Sequence, residues 1–202
     1  MEQGIINYDL YQKSPQIVLG FHGCEKNVAI KVLNSGVDHL KSSLNDYDWL
    51  GSGVYFWLND PRRAYEWAVT QKKTNPFVLG AIIDLGACLN FTERNSIELL
   101  KKSYLDLQSI LDAAGKSIRI LTNSRDDDGG FKLVRKLDCA VINNIHKMIE
   151  DEGGTSFDTV YGCFQEGTAA YPEAGIREKT HIQICVRNLD CIKGYFLPRI
   201  HI

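Results

Sequence analysis

The chain has 202 residues and a net charge of −2 at pH 7, with 44% hydrophobic and 24% charged residues. That length and composition favour one ordinary globular domain, large enough to bury a core without disulfide staples. The charge balance excludes a global basic field drawing the chain to nucleic acid or anionic membrane, although a neutral protein can still carry a local basic groove.

Residues 16–21, QIVLGF, are an apolar run ending at His22-Gly23, which predicts a strand followed by a turn. Residues 25–35 carry Val28, Ile30, Val32 and Leu33 and stop at Gly36, the pattern of a short helix with a glycine stop. Residues 37–52 are polar and irregular, with Asp46, Tyr47, Asp48 and Trp49 clustered. GSGVYFW, 51–57, reads as a glycine-flanked strand. Asn59-Asp60-Pro61 opens a helix, with Pro61 in its first turn behind an Asn or Asp cap. Ala64, Trp67 and Ala68 share one face of it.

Residues 77–85, FVLGAIIDL, are a continuous apolar run typical of a buried strand. Residues 92–114 carry the longest helical pattern, with Ile97, Leu100, Tyr104, Leu107 and Leu111 among its apolar positions. NSRDDDGG, 123–130, predicts an exposed loop, and 131–152 a second amphipathic helix ended by Gly153-Gly154. The last third predicts strands at 157–164, 180–186 and 191–198. A long loop, 165–179, separates the first two, and loops of that length are usually functional. Strands at both ends with helices between them point to α+β and not to a doubly wound βαβ fold.

Six cysteines, at 24, 88, 139, 163, 185 and 191, form no C-x-x-C pair and no zinc-finger spacing, so no metal is expected. Most lie in apolar runs and read as buried free thiols of a reducing compartment. The N-terminus lacks the basic-then-apolar order of a signal peptide, and no apolar run reaches a membrane span. A cytoplasmic protein is expected.

The N-terminal third also holds LGFHGC (19–24), GSGVYFW (51–57) and a helix with AYEWA (64–68), and no G-x-G-x-x-G follows a strand to suggest a Rossmann site. His22-Gly23 and, about 30 residues on, Gly51-Ser52-Gly53-Val54-Tyr55-Phe56 resemble the diphtheria-toxin and poly(ADP-ribose) polymerase branch of ADP-ribosyltransferases. That branch carries His-Gly on its first core strand, G-x-G-[IV]-Y-F on a later one, and Glu or Gln on a late strand. The ending GIREKTHIQICVRN–CIKGYF is similar to that of a set of bacterial proteins, so the resemblance covers nearly the whole chain. The resemblance implies a split-sheet ADP-ribosyltransferase-like α+β domain spanning 1–202, with 92–153 as a helical insertion.

It also implies NAD as substrate. His22 would bond a ribose hydroxyl of the adenosine half, the main chain of Gly23 the nicotinamide amide, and Tyr55 would stack on the nicotinamide; Gly53 belongs to the same binding set. Where polymerases place a small hydroxyl residue, this chain has Arg63, a departure; Arg62 or Arg63 is a candidate pyrophosphate contact, with a solvated helix face as the alternative. Trp67 or Tyr65 would be the aromatic lid.

The third catalytic position stays open. Nicotinamide loss leaves positive charge on the ribose, and a polar group on the ribose 2′-hydroxyl stabilises it. Strand alternation puts His181 and Gln183 on one face, opposite Ile182 and Ile184. Gln183 ranks first, ahead of Glu166, His181 and Glu178. A Gln is no general base, so acceptor deprotonation would come from elsewhere. The implied activity is ADP-ribose transfer to a macromolecule, protein or nucleic acid, by a toxin or defence effector. The implied partners are NAD, the acceptor and, for a toxin, an antitoxin. The alternatives are an NAD glycohydrolase toxin and a non-catalytic NAD- or ADP-ribose-binding module.

Overall fold

A computed structural model describes residues 17–36, 38–71, 73–124 and 130–199. Its strands are β1 (Ile17–Glu25), β2 (Val54–Leu58), β3 (Pro76–Asp84), β4 (Cys88–Asn90), β5 (Asn123–Ser124), β6 (Val134–Arg135), β7 (Thr159–Ala169), β8 (Arg177–Val186) and β9 (Ile192–Phe196). Four helices, α1 (Lys26–Ser35), α2 (Pro61–Thr70), α3 (Arg94–Ala113) and α4 (Lys136–Asp151), complete the α+β architecture. Seven strands form one mixed sheet in the order β4-β7-β8-β2-β1-β3-β9, while β5 and β6 pair apart from it. Only β4 and β7 run parallel; the other neighbours are antiparallel.

Alternation along the strands divides the core between the two faces of the sheet. On one face Phe56, Leu79, Ile83, Ile184 and Val186 meet Ala29 and Val32 of α1. On the other face Val160, Phe164 and Cys185 meet Leu50 and, from α4, Ile142 and Ile145. Farther along that face Phe21 and Trp57 meet Ala64 of α2, with Trp67 and Phe196 against them. No helix among the described residues is long and apolar enough to cross a membrane.

Local chemistry explains most boundaries. Asp60 caps α2 through the Arg63 N–H at 2.9 Å, behind Pro61 at the first helical position. Gly36 ends α1 with φ 67°, a conformation that costs glycine nothing. All six cysteines are free thiols; four are buried, Cys88 is half-buried and Cys163 is exposed.

Three expectations are corrected. His22-Gly23 is not a turn: β1 continues to Glu25, paired to β3 from Ile17↔Asp84 to Glu25↔Pro76. The segment 165–179 is not a long loop: β7 and β8 extend into it as a hairpin, pairing Glu166↔Lys179 and, after a register shift, Ala169↔Arg177. That hairpin projects with polar residues on both faces, so no apolar alternation marks its arms. The helix expected from 131 starts at 136, because Val134-Arg135 pairs with Asn123-Ser124. Asn123 then caps α4 from a distance, its Oδ1 accepting the N–H groups of Leu137 and Asp138 at 3.0 and 3.2 Å. Residues 1–16 and 125–129 of the expected N-terminal segment and loop lie outside the described residues.

The tightest approach between helix and sheet is at Gly23. A Cβ there would stand 2.0 Å from the Ala64 carbonyl oxygen and 3.2 Å from the Ala68 Cβ. Both alanines are fully buried. Gly23→Ala is therefore expected to destabilise the protein by about 3 kcal/mol, at the upper end for overpacking. Urea unfolding checks this as a lowered midpoint with an unchanged slope.

Candidate functional site

β1 and β2 pair only at Gly20↔Leu58 and Phe21↔Trp57. Beyond that point they part, and the His22 ring bridges the fork. Its Nδ1–H donates to the Tyr55 carbonyl oxygen at 2.7 Å. A carbonyl can only accept, so Nδ1 carries the proton and Nε2 keeps its lone pair. Burial lowers the His22 pKa; the Tyr55 bond opposes this and Lys73 adds to it. The imidazole is thus neutral at pH 7, with its centroid 5.8 Å from Phe56 and 6.4 Å from Trp67.

Tyr55 is fixed from both ends. Its hydroxyl donates to the Gly51 carbonyl at 2.6 Å and accepts from the Leu50 N–H at 2.8 Å. Burial pushes the phenol pKa well up, so it stays protonated. Only the ring, and not the hydroxyl, is left for a ligand. Gly53 is required by packing: a Cβ would lie 2.5 Å from Cys185 Sγ and 2.6 Å from the Val186 carbonyl. Gly23 likewise owes its missing side chain to α2.

β8 brings Gln183 opposite Trp57, beside the fork. Gln183 and His181 are both buried. The His181 Nδ1–H donates to the Lys179 carbonyl at 2.6 Å, and the Gln183 amide N–H donates to His181 Nε2 at 3.1 Å. This orients Gln183 with its carbonyl oxygen free of that bond. Burial lowers the His181 pKa, so this imidazole is neutral as well.

Arg63 is not on a solvated helix face. Its Nη2 meets Glu166 Oε2 at 2.6 Å, with both side chains 13% exposed, and its Nη1 meets Glu66 Oε2 at 2.9 Å. The pair ties α2 to the β7–β8 hairpin. Glu166 Oε2 also lies 3.9 Å from His181 Nδ1, too long for a hydrogen bond. Partial burial raises the Glu66 carboxyl, but Arg63 and Arg62 outweigh it and hold it below the usual range. Arg62 is exposed and pairs with Glu66 at 3.3 Å. Glu178 stands away on the exposed hairpin, accepting from Thr168 at 2.8 Å.

Trp67 turns toward Trp57, centroids 5.8 Å apart, while Tyr65 is 48% exposed on the outer side of α2. Sequence reasoning missed Trp57 and Trp49. Trp57 alternates with Tyr55 on β2, which was a usable signal. Trp49 stacks on His181 at 6.0 Å, and nothing in its polar neighbourhood marks it. Among the described residues, the buried Trp57 Nε1 and Arg63 Nε have no acceptor.

Two larger cavities lie beside this cluster. One of about 800 Å³ runs along the outer face of α2 and β8, lined by Arg63, Tyr65, Glu66 and Lys179 among others. The other, of about 580 Å³, lies between α3, α4 and β7. His22, Gly23, Tyr55 and Gln183 line neither. Among the described residues no group of three or more His, Cys, Asp or Glu is placed to hold a metal ion. No family model matches the chain, and no curated protein or solved structure does either.

The neutral histidines set an acid limit on stability. His146 of α4 is buried, its Nε2 has no partner among the described residues, and burial lowers its pKa to about 3. Its folded pKa lies below the unfolded value, so its contribution is full above about pH 6.5 and falls as the unfolded chain takes up the proton. From pH 7.5 to pH 5, His146 alone is expected to reduce stability by about 2 kcal/mol. His22 and His181 act in the same direction. Urea titrations at the two pH values measure the loss, and His146→Gln should make it smaller.

Proposed function

We propose that the chain is an NAD-dependent ADP-ribosyltransferase that moves ADP-ribose to a macromolecular acceptor, protein or nucleic acid. The observation that carries this reading is the fork, where β1 and β2 part beyond Phe21↔Trp57 and His22 bridges to Tyr55. An extended dinucleotide needs such an opening in the sheet, with main chain free to bond it.

In this reading His22 Nε2 accepts from a ribose hydroxyl, the main chain of Gly23 bonds the carboxamide, and the Tyr55 ring stacks on the nicotinamide. Trp67 covers the other side in preference to Tyr65. NAD supplies a nicotinamide–ribose bond whose cleavage leaves positive charge on the ribose. The Gln183 carbonyl oxygen, oriented by the bond to His181, faces that charge through the 2′-hydroxyl. Glu166 is the nearest carboxylate for an acceptor proton, once separated from Arg63.

A second reading, a non-catalytic NAD- or ADP-ribose-binding module, draws on one feature. Arg63 occupies Glu166, and the row of His181 and Gln183 holds no carboxylate. Incubation with NAD labelled in its adenine half distinguishes these readings. Label on a macromolecule supports transfer, free ADP-ribose supports glycohydrolysis, and unchanged NAD with a raised Tm supports the binding module. No binding at all removes the NAD assignment.

Gln183→Ala is expected to lower turnover by about 10²–10³-fold, the usual effect of one preorganised polar group. NAD affinity should change far less, because the interaction strengthens as charge develops. Gln183→Glu should keep or raise activity. Single-turnover kinetics with binding measured separately checks the split; a fully active Gln183→Ala would move the catalytic role to Glu166.

A further inference from the structure

The cavity between α3, α4 and β7 has no part in the reading above. Its volume of about 580 Å³ falls within the usual range of ligand sites. Phe91, Leu100, Val141 and Ile142 supply apolar wall, and Trp49 and Phe164 separate it from His181.

The polar groups on the wall are few and unbalanced. Lys101, Arg135 and Asp138 are the charged residues lining it. The Arg135 guanidinium carbon sits 5.1, 4.7 and 4.9 Å from the ring centroids of Trp49, Phe131 and Phe164. This aromatic cage holds it in place with its side chain 17% exposed. A guanidinium has five N–H donors. Among the described residues Arg135 spends them on the Lys132 carbonyl at 2.9 Å and Asp138 at 3.3 Å. Asp138 is itself engaged by the Asn123 amide at 2.6 Å. Lys101 adds a second cation at the rim, paired with exposed Glu98. Glu98 does not line the cavity, so the wall itself carries two cations against one occupied carboxylate, which favours a single negative charge, and its sides favour apolar bulk.

We propose that this cavity binds an apolar organic anion: an aromatic or aliphatic molecule bearing one carboxylate or sulfonate group, seated on Arg135. The assignment does not rest on the NAD reading.

Titration of the full chain with 8-anilinonaphthalene-1-sulfonate tests it, with the uncharged N-phenyl-1-naphthylamine as the matched apolar probe. The sulfonate should bind saturably at one site and raise Tm, since a ligand of the folded state stabilises it. Arg135→Gln should weaken the sulfonate by about tenfold, the loss of a charge-assisted contact, and leave the neutral probe nearly unchanged. Leu100→Trp, which narrows the cavity at its apolar wall, should weaken both. If Arg135→Gln does not fold, Lys101→Gln at the exposed rim should still weaken the sulfonate selectively, by about threefold. Absence of saturable binding, a lowered Tm, or affinities for both probes that Leu100→Trp leaves unchanged overturns the site. Equal affinity for the two probes, or a charge variant that affects neither, overturns the anionic component.

Discussion

The contact between α2 and β1 at Gly23 governs much of the molecule. Only a hydrogen fits between that Cα and the Ala64 carbonyl, so the helix lies unusually low on the sheet. From that height Trp67 reaches Trp57, and Arg63 reaches across to Glu166 on β7. A helix held farther out by a methyl group would lose both relations together. Ala64 and Ala68 carry the same constraint from the helix side, since both are fully buried.

What α2 holds down is expensive in electrostatic terms. Arg63 and Glu166 are largely out of water, where desolvation offsets much of their attraction, so the pair is poor evidence of stability. Its geometric effect is plainer: it joins the helix to a hairpin that otherwise projects from the sheet. The neighbouring imidazoles avoid the same expense by remaining neutral, each with its Nδ1–H on a main-chain carbonyl. The result is a cluster rich in fixed donors and acceptors with almost no free charge, suited to holding a polar ligand by direction and not by field.

The sequence revealed elements wherever a single physical signal dominated. β3 announced itself by an unbroken apolar run, and α2 by Asp60-Pro61. It concealed features that depend on distant partners. The arms of the β7–β8 hairpin are polar on both faces, so only main-chain pairing defines them. The start of α4 depends on Asn123, far upstream. His22, Tyr55 and Gln183 were singled out from motif and alternation; the structure sets His22 on the Tyr55 carbonyl and Gln183 opposite Trp57. The glycines were legible as positions but not as reasons: Gly23 and Gly53 are small because α2 and β8 press on them. Arg63 could not be assigned without seeing Glu166 approach across more than a hundred residues of chain.

The three tryptophans of the chain stand close together on one face of the sheet. Trp49 stacks on His181, His181 lies 6.5 Å from Trp57, Trp57 adjoins Trp67, and Trp67 adjoins His22. Indole emission is sensitive to nearby imidazoles, particularly when these gain a proton, and to transfer of excitation between neighbouring rings. The indole emission of the protein therefore originates in one connected group of rings that runs from Trp49 through His181 to Trp57 and Trp67. A shift in its wavelength or intensity reports on that group of rings and is largely blind to the α1 face, making the chain its own optical probe of one side of the sheet.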